Sequence, residues 1–145
     1  MANAVYEVRP AKGEEIESAA NLVTRVFAQE GINAKIKTQE YLEKLQPKHQ
    51  CSVAIYDGKV VGALFYSIEE SKGNIIDVAV DPSHRRRGVS KELARISMED
   101  MQKRNAIVVQ SDVVNNDWAR YLQELGFEDM SFSDSERAIP LQKRF

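Results

Sequence analysis

The residues with the clearest chemical potential are Arg85-Arg86-Arg87-Gly88-Val89-Ser90-Lys91, a basic turn that follows the strand-like run Val78-Ala79-Val80 and opens into a helical pattern. The first N–H groups of a helix have no partner within it, and the macrodipole adds partial positive charge there, so such a turn suits a phosphate or pyrophosphate. Gly88 fits the role, since a backbone without a Cβ allows a ligand close approach. Three successive arginines also read as a solvated turn, and electrostatics alone does not choose between the two. Cys51 and His49 show no accompanying nucleophile arrangement, and two His with one Cys provide no metal-ligand spacing.

The elements that must hold this turn follow from periodicity. Tyr6 to Arg9 alternates and stops at Pro10, which suits a first strand, and Glu14 to about Gln29 carries apolar residues at three- and four-residue spacing, which predicts a helix. Thr38 is placed to cap a short second helix bearing Tyr41, Leu42 and Leu45. Residues 51–57 and 59–68 are rich in β-branched and aromatic side chains and flank Asp57-Gly58, a strong hairpin signal. A third strand, Ile75 to Val80, is expected after a Ser71-Lys72-Gly73-Asn74 turn. Beyond Gly88 a helix should run to about Lys103 and lead into Ile107-Val108-Val109, a strand–helix–strand crossing that makes a parallel pair. Asn115 or Asn116 is positioned to cap a last helix from Trp118 to Leu125, closed by Gly126, with strands expected at Phe127–Phe132 and Arg137–Leu141. The sum is an α/β domain: a mixed, mostly antiparallel sheet flanked by helices, with one parallel pairing.

Length and composition narrow the partners. The 145 residues fit a single domain over 1–145, and 43% hydrophobic with 29% charged residues is ordinary for a globular protein. No stretch approaches the ~18 apolar residues of a membrane span, the first residues lack a secretory pattern, and a lone Cys51 forms no internal disulfide, so a cytoplasmic location is expected. A net charge of −2 disfavours a general nucleic-acid binder.

The segment Val78 to Leu93 resembles the acyl-CoA-binding motif of the GCN5-related N-acetyltransferases (GNAT), Arg/Gln-x-x-Gly-x-Gly/Ala after a strand that ends in a Val-x-Pro-like turn. Arg85, Gly88 and Ser90 fall on its three places, Ser90 being a small departure, while Pro82, His84 and Leu93 sit where the family prefers Pro, an aromatic or His, and Leu. Asn115 followed by Leu125-Gly126-Phe127 resembles the family's Asn and Gly-Phe, and the element order agrees over the whole chain. The resemblance implies the acyl-CoA N-acyltransferase fold and transfer of an acetyl group from acetyl-CoA to an amine, on a small molecule or a protein lysine. It also implies that the strand end Val78-Ala79-Val80 holds the pantetheine and that Arg86, Arg87, Gly88, Val89, Ser90 and Lys91 hold the pyrophosphate. Dimers are common among similar enzymes, so a homodimer stays open.

Such chemistry needs a base, because an amine of ordinary pKa ~10.4 is protonated at neutral pH. The familiar positions fail here. The general-acid Tyr on the last helix is Leu122, with Tyr121 about 100° away around the helix, and the two strand positions used for a base by other members are Gln110 and Asn74. Asp77 is the best remaining candidate, since alternation sets it opposite Val78 near the strand's reactive end, although it reads equally as a hydrogen-bonded strand carboxylate. Glu69 and Glu70 could receive a cationic acceptor but read better as a solvated turn. These departures keep a second function open, a module that holds acyl-CoA without turnover.

Overall fold

The computed structural model describes residues 5–31, 37–45, 49–113, 116–129 and 139–145. Among the described residues seven strands form one sheet in the order β1-β2-β3-β4-β5-β7-β6. The strands are β1 (Glu7–Pro10), β2 (Gln50–Tyr56), β3 (Lys59–Glu69), β4 (Lys72–Val80), β5 (Val108–Val113), β6 (Glu128–Asp129) and β7 (Ile139–Arg144), and the helices are α1 (Gly13–Gln29), α2 (Thr38–Lys44), α3 (Val89–Lys103) and α4 (Asn116–Glu124). Every described pairing is antiparallel except β4 with β5, the parallel pair expected from the strand–helix–strand crossing. No helix among the described residues is long and apolar enough to cross a membrane.

Strand alternation divides the core into two layers. Leu64, Tyr66, Leu93, Met101, Leu122 and Leu141 pack on one face beneath α3 and α4. Ala19, Leu22, Val23, Tyr41, Val53 and Phe65 pack on the other beneath α1 and α2. The helix α3 comes very close to the sheet at Gly62, where a Cβ would stand 2.8 Å from Val89 Cγ1 and 3.1 Å from Leu93 Cδ1. The absent side chain therefore sets the height of the first turn of α3 above the sheet.

Several local expectations are corrected. The β3–β4 reversal lies at Glu70 and Ser71, both at positive φ (49° and 67°), while Lys72, Gly73 and Asn74 are already in β4. Gly73 serves packing rather than a turn, because a Cβ there would collide with Met101 Sδ. Thr38 is the first helical residue of α2 and Lys37 its cap; the Thr38 hydroxyl donates to Asn21 Oδ1 at 3.2 Å instead. Asp57 and Gly58 do turn the β2–β3 hairpin, at φ 51° and 74°. Gly126 closes α4 at φ 98°, with the Phe127 N–H donating to the Leu122 carbonyl at 3.0 Å. Asn115 and much of the two predicted final strands lie outside the described residues.

Candidate active site

The site begins where two strands part. β4 pairs with β5 from Lys72↔Val108 to Ile75↔Ser111, after which β4 follows only β3 and β5 only β7. The parting coincides with a bulge: Phe65 pairs with Asp77 and Tyr66 with Ile75, so Ile76 is the extra residue. Such an insertion bends a strand and increases its local twist.

Backbone alternation then fixes which groups face the opening. The Asp81 N–H donates to the Val61 carbonyl at 2.8 Å. In the antiparallel register Ala79↔Ala63 and Val80↔Gly62, Ala79 therefore points its peptide groups at β3, while Val78 and Val80 point theirs at the side β5 has left. Backbone donors and acceptors require partners; the Val80 carbonyl has one in Arg85 Nε at 3.3 Å, and the other groups at this edge suit an extended chain carrying amides.

At the end of β4 a short 3-10 turn, Pro82–His84, is capped by Asp81, whose carboxylate accepts from the Ser83 N–H at 3.0 Å. The chain passes through Arg86 at φ 62° and Gly88 at φ 77° before α3 begins. Gly88 is the N-cap and offers no side chain to the first turn, and a Cβ there would meet open space. The first turn of α3 lies beside exposed Arg86, Arg87 and Lys91, with Val89 buried and Ser90 half-buried at the helix start. Arg85 is directed otherwise: its Nε donates to the Val80 carbonyl at 3.3 Å and its Nη2 to Glu30 Oε1 at 2.7 Å, bracing the strand end against the end of α1.

Two aspartates near the end of β4 are driven apart in acidity. Ser83 hydrogen bonds, with a further contribution from Arg25, hold Asp81 down at about 2, so it stays ionised and engaged. Burial pushes the Asp77 carboxyl above the usual carboxylate range, opposed by the hydrogen bond from Tyr41. The Tyr41 hydroxyl donates to Asp77 Oδ2 at 2.6 Å from a ring that is 7% exposed and meets Phe65 edge-on at 5.5 Å. Because of the bulge, Ile76 and Asp77 both face the α1/α2 layer and Val78 faces α3, the arrangement that alternation predicted for Asp77 and Val78. Nothing in the sequence pattern around Asp77 pointed to Tyr41, which lies 36 positions away.

The remaining positions are informative by what they hold. Asn74 and Gln110 are register partners across the parallel pair, so the two places that could carry a strand base are neighbouring neutral amides. Leu122 is fully buried in the α3-side core, and Tyr121 is half-buried beside it, its phenol pushed up in pKa by burial and by Glu92 and Glu124. Glu69 and Glu70 occupy the other end of β4, roughly 26 Å from Val80 at ~3.3 Å per residue, so they do not join this site.

The profile of the acetyltransferase (GNAT) family matches residues 16–127. This chain belongs to that family. Among solved structures, this GNAT domain is similar to the ribosomal-protein-S18-alanine N-acetyltransferase of Escherichia coli (14% identity, TM-score 0.75, covering 95% of this chain and 91% of that one). It is likewise similar to the PaiA N-acetyltransferase of Thermoplasma acidophilum in complex with coenzyme A (15% identity, TM-score 0.75, 97% and 99% covered). Ard1 of Thermoplasma volcanium shares 25% identity at a TM-score of 0.74, with 96% and 97% covered. No curated protein sequence gives a significant match.

Proposed function

We propose that this GNAT protein transfers an acetyl group from acetyl-CoA to a primary amine on a small molecule or a protein lysine. The observation that carries the reading is the open strand edge, with Val78 and Val80 directing peptide groups into the gap between β4 and β5, continued directly by the exposed turn at Gly88. Val78 and Val80 would receive the pantetheine arm through backbone hydrogen bonds, with Ala79, whose own peptide groups face β3, set between them. Arg86, Arg87, Gly88, Val89, Ser90 and Lys91 would receive the pyrophosphate, with Arg85 bracing the turn, and Asn115 is assigned to the donor by the family motif alone.

In the reaction the amine nitrogen bonds to the thioester carbonyl carbon while Asp77 takes the proton the nitrogen loses. The oxygen that gains charge would accept from the Val78 N–H, a fixed donor needing no reorganisation. The C–S bond then breaks, and the thiolate leaves readily because a thiol of pKa ~8.5 is a good leaving group. Asp77 suits the base role better than Asp81, since a carboxylate raised by burial has greater affinity for the proton.

A second reading, a module that holds acyl-CoA without turnover, is favoured by the neutral pair Asn74–Gln110 and by Leu122. Release of free coenzyme A from acetyl-CoA, measured with and without polyamines, amino acids, aminoglycosides and lysine peptides, separates the two. Acceptor-dependent release is expected. Tight acetyl-CoA binding with no release from any acceptor would favour the binding module.

A further inference from the structure

We propose that Tyr6 and His84 form a positioning pair that holds the arginine turn, residues 85–88, in the shape that receives the donor's pyrophosphate; this rests on the reading of that turn as the donor site. Tyr6 stands directly before β1, and His84 is the last residue before the turn. Across 78 positions of sequence, the Tyr6 hydroxyl lies 2.8 Å from His84 Nδ1. Arg87 Nη1 donates to the same oxygen at 3.5 Å. The Tyr6 oxygen thus contacts both Arg87 Nη1 and His84 Nδ1, tying two residues of the segment to one atom.

The ring faces reinforce the bond. His84 meets Tyr6 edge-on with centroids 5.6 Å apart and lies 5.0 Å from Tyr56, while the two tyrosine rings are 5.4 Å apart. Tyr6, directly before β1, and Tyr56, at the end of β2, thus clamp the residue that precedes the turn, and Tyr6 also touches Arg87 within it.

The turn needs such a clamp. Arg86 sits at φ 62°, and an L-residue in the left-handed region is disfavoured by about 1–2 kcal/mol. Backbone of that kind persists where its surroundings over-determine it. Arg85 supplies restraint through Val80 and Glu30, and the Tyr6–His84 bond fixes His84 from the sheet side. Tyr6 and His84 are half-buried and Arg87 is exposed, so the cluster lies beside the turn rather than in the core.

Equilibrium binding of coenzyme A and of pantetheine to the full chain tests this, with Tyr6→Phe, His84→Phe, their double variant and His84→Asn. The two Phe substitutions keep an aromatic ring and remove one end of the bond. Each is expected to weaken coenzyme A about 3–10-fold, the range of one hydrogen bond, and the double variant no more than either alone. His84→Asn puts an amide, able to donate or to accept, near the place of Nδ1 and should recover most of the loss. Pantetheine, which lacks the pyrophosphate, should bind all variants as it binds the parent chain. Additive losses, no loss, or equal losses for the two ligands would overturn the positioning role. Should Tyr6→Phe fail to fold, the contrast between His84→Phe and His84→Asn decides the question. A parent chain that binds no coenzyme A would overturn the donor-site reading itself.

Discussion

The Tyr41 hydroxyl donates a 2.6 Å hydrogen bond to Asp77 Oδ2, joining α2 to the carboxylate that the bulge in β4 turns toward the same layer. The bond favours the ionised carboxylate while burial disfavours it, and burial dominates. Asp77 is thereby kept proton-hungry yet oriented.

Asp77→Asn should lower kcat/KM about 10²–10⁴-fold, the usual contribution of a general base, and leave coenzyme A affinity unchanged. Its effect on stability has the opposite sign. Because the folded-state pKa is raised, the folded chain holds the proton more tightly than the unfolded chain, so this group's contribution is greatest below the unfolded pKa and is lost as pH rises through the folded value. The Asn variant should therefore gain stability relative to the parent at neutral pH and not at acid pH. Chemical denaturation at both pH values, beside steady-state kinetics, checks the pair of effects; unchanged turnover would remove Asp77 as the base.

Tyr41→Phe removes the bond that lowers the Asp77 pKa, so that pKa should rise further. Activity that depends on ionised Asp77 should then appear at higher pH, moving the ascending limb of the kcat/KM profile upward. A limb that stays in place, or moves to lower pH, would show that Asp77 does not govern it.

Gly62→Ala would set a Cβ 2.8 Å from Val89 Cγ1 and 3.3 Å from Ala54 Cβ, a contact the sheet cannot relieve without lifting α3. A loss of about 1–3 kcal/mol is expected from overpacking, with weakened coenzyme A binding, because Val89 opens the helix proposed to receive the pyrophosphate. Urea denaturation and binding on one preparation measure both.

Gly88→Ala acts by another route. Its Cβ meets nothing within 4 Å, but φ is 77°, so destabilisation should be about 1–2 kcal/mol from backbone conformation. If the ligand approaches this backbone, coenzyme A affinity should fall by more than the approximately tenfold that ~1.4 kcal/mol represents. Stability loss with unaltered binding would place the ligand elsewhere.

Much of the local structure of the segment proposed for the donor was legible because its information is local. The strand Val78 to Val80, the basic turn, Gly88 at the helix start and the Asp57-Gly58 hairpin each depend on backbone conformations that a few adjacent residues specify. The same locality misled at Gly73, where a turn-forming residue serves close packing against Met101, contributed from α3.

The sequence by itself determined the order of elements, the mixed sheet and the family, since hydrophobic periodicity and the Arg85, Gly88, Ser90 spacing survive without knowledge of any distant contact. Only the tertiary structure decided that Asp77 meets Tyr41, that Arg85 turns back to Val80 and Glu30, and that His84 is held by Tyr6. The register of the bulge and the packing of separate elements bring these groups together, and side-chain periodicity along one element carries no record of which side chain will face it from another.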